Sequence, residues 1–211
     1  LLFRHIYPQV RISTCTEQHG FTKKRSPVTQ LLPYLDDLYN QKDINASSYA
    51  IYFDFRKAFD LVPHHILLQK LAIFGFDDDF LILLKSYLYS RTQRVSINGS
   101  LSQMVDIDSA VPQGSVLGPL FFIIFMNDLP DNFVNSSCYL FADDTKLLSL
   151  LTKPDLQIDI DHFTEWAHRN KMEYNIDKCK SINFSAKLAS SDPLYLNGSV
   201  VPTADSIEDL G

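Results

Sequence analysis

Two apolar runs in this chain are interrupted by carboxylates, and that interruption limits the folds open to it. Tyr49–Phe55 (YAIYFDF) alternates aromatic and aliphatic residues in the manner of a strand, with Asp54 near its C-terminal end. Asp143-Asp144 stands between two further apolar runs, Cys138–Ala142 and Thr145–Leu150, which reads as a hairpin with the acids at its turn. An unpaired carboxylate in such surroundings costs several kcal/mol. Adjacent carboxylates also repel, and one keeps its proton unless a cation offsets the pair. A bare Asp-Asp pair is ordinarily a turn, because aspartate favours turns. With Asp54 at the end of a second apolar strand, a shared divalent cation is the better account. Oxygen-only ligands select Mg²⁺ or Mn²⁺ over zinc. Two such ions are the apparatus for in-line phosphoryl transfer, and at this point a polymerase and a metal-dependent nuclease are equally allowed.

The rest of the composition narrows the setting. At 211 residues the chain is long for one domain and short for two. Hydrophobic residues at 45% and charged residues at 21% match globular usage, so disorder is excluded as the main state. A net charge of −6 argues against a simple electropositive nucleic-acid-binding module, although local basic clusters remain able to hold phosphates. Cys15, Cys138 and Cys179 are widely spaced with no CxxC pair, which fits neither a disulfide framework nor a zinc knuckle and favours a reducing, intracellular setting, nuclear or cytoplasmic. The longest apolar stretch, Val116–Met126, is half the length of a membrane span of about 20 residues, and LLFRHIYPQV lacks the features of a signal peptide, so no membrane association or secretion is expected. The chain lacks an initial Met and stops at Asp209-Leu210-Gly211, as a segment of a longer polypeptide would.

Along the chain, Ser26-Pro27 forms a helix start and Leu31, Leu35 and Leu38 recur at helical spacing over 26–41, followed by a polar loop at Asn45–Ser48. Pro63 opens a helix whose stripe is Ile66, Leu67, Lys70 and Leu71 and whose end is marked by Gly75. Asp77–Tyr89 predicts a second helix. Arg94–Asn98 and Gln103–Ala110 predict two strands joined at Asn98-Gly99-Ser100. Pro112–Ser115 precedes the apolar helix that ends near Asn127. A helix over 154–171 carries the only Trp, Trp166, and Ser181–Phe184 plus two short strands split at Asn197-Gly198 complete the segment. Strands and helices alternate without a strict βαβ rhythm, which implies an α+β domain.

Four blocks together resemble the reverse transcriptases of non-LTR (LINE-type) retrotransposons: QHGFTKKRSPVTQLL (18–32), AIYFDFRKAFDLVPHHILLQKL (50–71), AVPQGSVLGPLFFIIFMNDLP (110–130) and YLFADDTKLL (139–148). NKMEYNIDKCK (170–180) and the terminal DLG (209–211) follow in the same order. The resemblance implies a right-hand polymerase palm, an antiparallel sheet backed by helices, with part of the fingers over 1–47 and the palm over 48–211, carrying a fingers-side insertion at about 61–110. It implies an RNA-directed DNA polymerase, transferring nucleotides from dNTPs to a DNA primer on an RNA template by two-metal catalysis. Asp54, Asp143 and Asp144, together with Phe55, would bind two Mg²⁺ ions, for which Mn²⁺ can substitute. Phe55, Arg56, Lys57, Ala58 and Phe59 would line the dNTP, their amides cradling its triphosphate. On spacing alone Phe59, five residues after Asp54, is better explained as a core residue; the resemblance reverses that and implies a ring that presses on C2′ of the sugar and excludes ribonucleotides. Gln113 and Gly114 would line the nucleotide pocket, although a turn alone accounts for the glycine. Lys178 would serve as general acid to pyrophosphate, and Lys23, Lys24 and Arg25 would contact template phosphates.

Thr22 and Pro27 depart from the family, which usually has Arg and Thr there. The resemblance also places the triphosphate-clamping fingers residues upstream of Leu1, the thumb after Gly211, and an endonuclease elsewhere in the parent polypeptide. The competing expectations are an RNA-dependent RNA polymerase, against which Phe59 and Ala142 both count, and a catalytically silent or domesticated remnant of a retroelement.

Overall fold

A computed structural model describes residues 2–43, 47–149, 152–184 and 192–209. Asn45 and Ala46 of the polar loop, Leu150, and Leu210 and Gly211 of the terminal DLG lie outside the described residues. In chain order the elements begin with helices α1 (Leu2–Ser13) and α2 (Pro27–Asp43), strand β1 (Tyr49–Phe53), and helices α3 (Ala58–Leu61), α4 (His64–Ile73) and α5 (Asp78–Leu88). Short strands β2 (Arg91–Gln93), β3 (Ser96–Ile97), β4 (Ser100–Leu101) and β5 (Val105–Ile107) precede α6 (Gly118–Met126). Then come β6 (Ser136–Phe141), β7 (Asp144–Ser149), α7 (Lys153–Arg169), β8 (Lys180–Asn183), β9 (Tyr195–Leu196) and β10 (Ser199–Val200).

Four strands form one sheet in the order β6-β7-β1-β8, and the β6–β7, β7–β1 and β1–β8 pairings are all antiparallel. Ile51, Phe53, Leu140 and Leu147 belong to the main core, where Phe53 stacks on Phe163 of α7 at 3.7 Å. Helix α6 is apolar all round and buried from Gly118 to Met126, apart from a partly exposed Pro119, as expected of a central helix. Lys70, within the buried stripe of α4, is stabilised by donating to the Phe125 carbonyl and to Asp128, each at 2.6 Å, with Trp166 Nε1 donating to the same Asp128 oxygen at 3.0 Å. This network joins α4, α6 and α7. On the opposite face α2 packs through Tyr34 on Ala50, Tyr139 and Leu148.

Several expectations are corrected. α1 has no counterpart in the sequence analysis, yet it buries Ile6 and Val10 in the core. The hairpin after α5 is displaced: Arg91 pairs with Ile107 and Ser96 with Leu101 around Asn98-Gly99, so Arg94 is unpaired and Ser100 belongs to a strand. Both Asn98 and Gly99 have positive φ, as the tight turn requires. α6 starts at Gly118 rather than Val116, because Ser115 Oγ accepts from the Gly118 amide and a Cβ there would lie 2.6 Å from the Pro112 carbonyl oxygen. Among the described residues no helix is long and apolar enough to cross a membrane.

Candidate active site

The aspartates meet because of strand register. Phe53–Thr145 is the last pair of the β1–β7 ladder, so Asp54 and Asp144 lie one step beyond it at the same end of the sheet. Phe141 pairs with Asp144, which leaves Ala142-Asp143 as a two-residue loop, so only Asp143 is at the turn and Asp144 opens β7. Ala142 alone of the two has positive φ, 57°, the pattern of a type II′ turn. Beyond β1 the chain stays extended against residues 173–175: the Asn175 amide donates to the Asp54 carbonyl and the Arg56 amide to the Glu173 carbonyl, both at 2.8 Å. The Asp54 amide donates to Cys179 Sγ at 3.4 Å.

Electrostatically the site is crowded with negative charge. Burial raises the Asp143 carboxyl above its ordinary pKa, and Asp54 raises it further. Asp144 belongs to a solvent-exposed residue, yet local desolvation raises its carboxyl first, followed by Asp143, Asp209 and Asp54. Lys178 Nζ stands 3.8 Å from Asp54 on a side chain that is mostly exposed. A cleft of about 160 Å³ beside the acids is lined by Gln30, Asp54, Asp144, Lys146, Lys178 and Asp209, among others.

A hard cation suits these donors in chemistry and charge: all are oxygens, and neighbouring carboxylates add to the burial that raises the proton affinity of Asp143 and Asp144. Among the described residues no three Asp, Glu, His or Cys side chains are drawn into a ready metal cluster. Mutual repulsion between uncompensated carboxylates opposes any closer approach.

The residues named for nucleotide binding differ in their freedom. The Phe55 ring is buried against Phe163 and Trp166, so only its main chain can face a ligand. The Arg56 amide is committed to Glu173, which removes it from the expected phosphate cradle, and its side chain lies 3.6 Å from Glu173. Lys57 is exposed in the left-handed region and Ala58 is buried. Phe59 is half-buried, stacked on Phe122 at 4.1 Å and edge-on to Phe21. The 110–114 loop adjoins it: the Val111 amide donates to the Phe59 carbonyl at 3.0 Å, and exposed Gln113 donates to Asp60 at 2.7 Å. Gly114 has φ +75°, where a side chain would be strained. Lys23 and Lys24 are exposed, whereas Arg25 donates to the Thr16 and Gln18 carbonyls, each at 2.6 Å.

Three contributors were not anticipated. Lys146 is buried, pairs with Asp209 and lies over the Tyr34 ring at 4.5 Å. Its charge inside an apolar strand was a legible signal; its partner, 63 positions on, was not. Gln30 is buried with an Oε1 that has no partner among the described residues, next to Asp54 and Asp144 in the cleft.

An antiparallel four-stranded sheet with acids at one end and helices on its core face is the palm of a right-hand polymerase. Solved structures agree: apo telomerase from Candida tropicalis, truncated from its C-terminal domain, superimposes with a TM-score of 0.68 at 16% identity, over 90% of this chain and 41% of that one. A family model described as reverse transcriptase (RNA-dependent DNA polymerase) matches residues 5–211, and the chain belongs to that family. Relatives include the RNA-directed DNA polymerase from mobile element jockey of Drosophila melanogaster, 29% identical over 95% of this chain. The probable RNA-directed DNA polymerase from transposon X-element of the same organism is 30% identical over 94% of this chain. The chain spans about a quarter of the length of these relatives, 24% and 23% respectively.

Proposed function

We propose that this chain is the palm and part of the fingers of an enzyme that copies an RNA template into DNA by adding dNTPs to a DNA primer. The observation that carries this is the placement of Asp54, Asp143 and Asp144 at one end of adjacent palm strands. In this reading residues 1–47 belong to the fingers and 48–211 to the palm, with 61–110 as a fingers-side insertion; thumb and endonuclease portions are supplied by the parent polypeptide.

Asp54, Asp143 and Asp144, with the Phe55 main chain beside them, would hold Mg²⁺ or Mn²⁺. Such ions activate an attacking hydroxyl and offset charge on the phosphates. The protein's own groups do the rest. Phe59 stands where a ring excludes a 2′-hydroxyl, Gln113 and Gly114 shape the wall beside sugar and base, and the main chain at Lys57–Phe59 faces the phosphates. Lys178 would donate a proton to the departing pyrophosphate, a reading supported by its Nζ standing 3.8 Å from Asp54.

The test is primer extension on an RNA template by the complete polypeptide and its Asp143→Ala variant. Extension should fall by about three orders of magnitude or more with the fold retained, because no other group replaces a lost metal ligand. Residual activity above a tenth of wild type would remove Asp143 from the chemistry.

A further inference from the structure

The block Gln18-His19-Gly20-Phe21 has no role in the chemistry above, yet it lies directly against the turn that carries Asp143. Gln18 is 1% exposed. Its Oε1 accepts from the Ala142 amide at 2.8 Å and from the Gly20 amide at 2.7 Å, and its Nε2 donates to the Ala142 carbonyl at 3.2 Å. On either side the main chain is also paired: the Leu140 amide donates to the Glu17 carbonyl at 3.1 Å and the His19 amide to the Leu140 carbonyl at 2.9 Å. The Gln18 side chain therefore takes the place of a neighbouring strand for the first residue beyond β6. It satisfies both main-chain groups of the residue that precedes Asp143.

Two further features show that this contact is specific. Ala142 holds φ 57°, a conformation that a non-glycine residue rarely adopts and that needs support from its surroundings. At Gly20 a Cβ would lie 2.2 Å from the Ala142 nitrogen, so only glycine permits the approach that brings Gln18 into range. Filling space does not require glutamine, since an apolar side chain of equal length does that without burying an amide. What an amide adds is one donor and one acceptor set against one peptide unit.

We propose that Gln18 is a positioning residue that fixes the Ala142-Asp143 turn, and through it the direction of the Asp143 carboxylate towards a divalent cation. This rests on the assignment of Asp143 to metal binding. The alternative is that Gln18 merely fastens residues 1–20 to the palm.

The experiment compares Gln18→Met, which keeps the shape and removes all three hydrogen bonds, with Gln18→Ala, which leaves room for water, in the complete polypeptide. Melting curves set a temperature at which both variants and the wild type are folded. At that temperature Mn²⁺ affinity is measured from the electron paramagnetic resonance signal of the free ion, and primer extension is measured alongside. Loss of a group that orients a ligand typically weakens metal binding about 10–100-fold, and that range is expected for Mn²⁺ affinity in both variants. kcat should fall by a similar factor, while KM for the dNTP stays within about threefold. Mn²⁺ affinity within twofold of wild type, with extension tracking the folded fraction, would overturn the proposal in favour of fastening. Asp143→Asn separates the two layers of the argument. If it abolishes extension and weakens Mn²⁺ binding while the Gln18 variants change neither, only the positioning role fails. If it changes neither, the assignment of Asp143 itself fails.

Discussion

On one face of the palm sheet Ile51, Phe53, Leu140 and Leu147 are sealed into the main core; on the other, Ala50 and Leu148 pack under Tyr34 beside tyrosine, lysine and, at the strand ends, aspartate. Tyr52, Lys146, Tyr139 and Lys180 lie side by side across the four strands. There Tyr34 and Tyr52 share a hydrogen bond, Tyr139 donates to Asp37, and Lys146 pairs with Asp209. Burial pushes the Tyr52 hydroxyl up to about 12, so this layer is held by neutral hydroxyls and one ion pair. The period of two along a strand thus assigns the faces different work: one is buried in the main core, and the other carries a smaller cluster under α2 and presents acids at its end.

Neighbouring residues make that contrast testable. Phe53→Ala removes a ring stacked on Phe163 and should cost about 3–5 kcal/mol, lowering the melting temperature by roughly 10 °C or more. Asp54→Asn, one residue on, should leave the melting temperature within a few degrees while primer extension falls by about a thousandfold or more. Calorimetry and a steady-state extension assay decide it. If Asp54→Asn unfolds the protein as Phe53→Ala does, the two faces are not functionally distinct.

Phe59 sits on the boundary between the two kinds of role, being stacked on Phe122 and only half-buried. Phe59→Val should raise the ratio of ribonucleotide to deoxynucleotide kcat/KM by about tenfold or more if the ring excludes the 2′-hydroxyl. A purely packing role predicts a loss of stability with that ratio unaltered. Measuring both quantities on one preparation assigns the residue to one face of the contrast or the other.

The same division explains what could be read in the sequence. β1 and α4 were legible because burial imposes a period on them and because Pro63 and Gly75 punctuate α4, and α6 because its apolar run is unbroken. α1 was obscured by Pro8 inside it, which ordinarily breaks a helix. The β2–β5 hairpin was mis-registered because its strands are largely exposed, and without a buried face nothing in the alternation pins the register. The three aspartates were legible as charges where apolar strands should continue. The clamp on their turn was not, because Gln18 and Ala142 are 124 positions apart and a lone glutamine carries no local pattern.

The basic cluster repeats the comparison between committed and free groups on a smaller scale. Arg25 is engaged: both of its carbonyl partners belong to the segment that holds the Asp143 turn. Lys23 and Lys24 are exposed beside it. Arg25→Gln should therefore lower stability by about 1.5–3 kcal/mol, the scale of a charged hydrogen bond, with little effect on the salt dependence of template binding. Lys23→Gln with Lys24→Gln should do the reverse. Each phosphate of a single strand that is no longer neutralised lowers the slope of log affinity against log salt by about 0.7, so the pair accounts for at most about 1.4. At moderate salt that corresponds to a several-fold loss of affinity with no change in melting temperature. Filter binding of a single-stranded RNA at several salt concentrations measures it. An unaltered slope would show that the two lysines are simply solvated and that template phosphates are held elsewhere in the polypeptide.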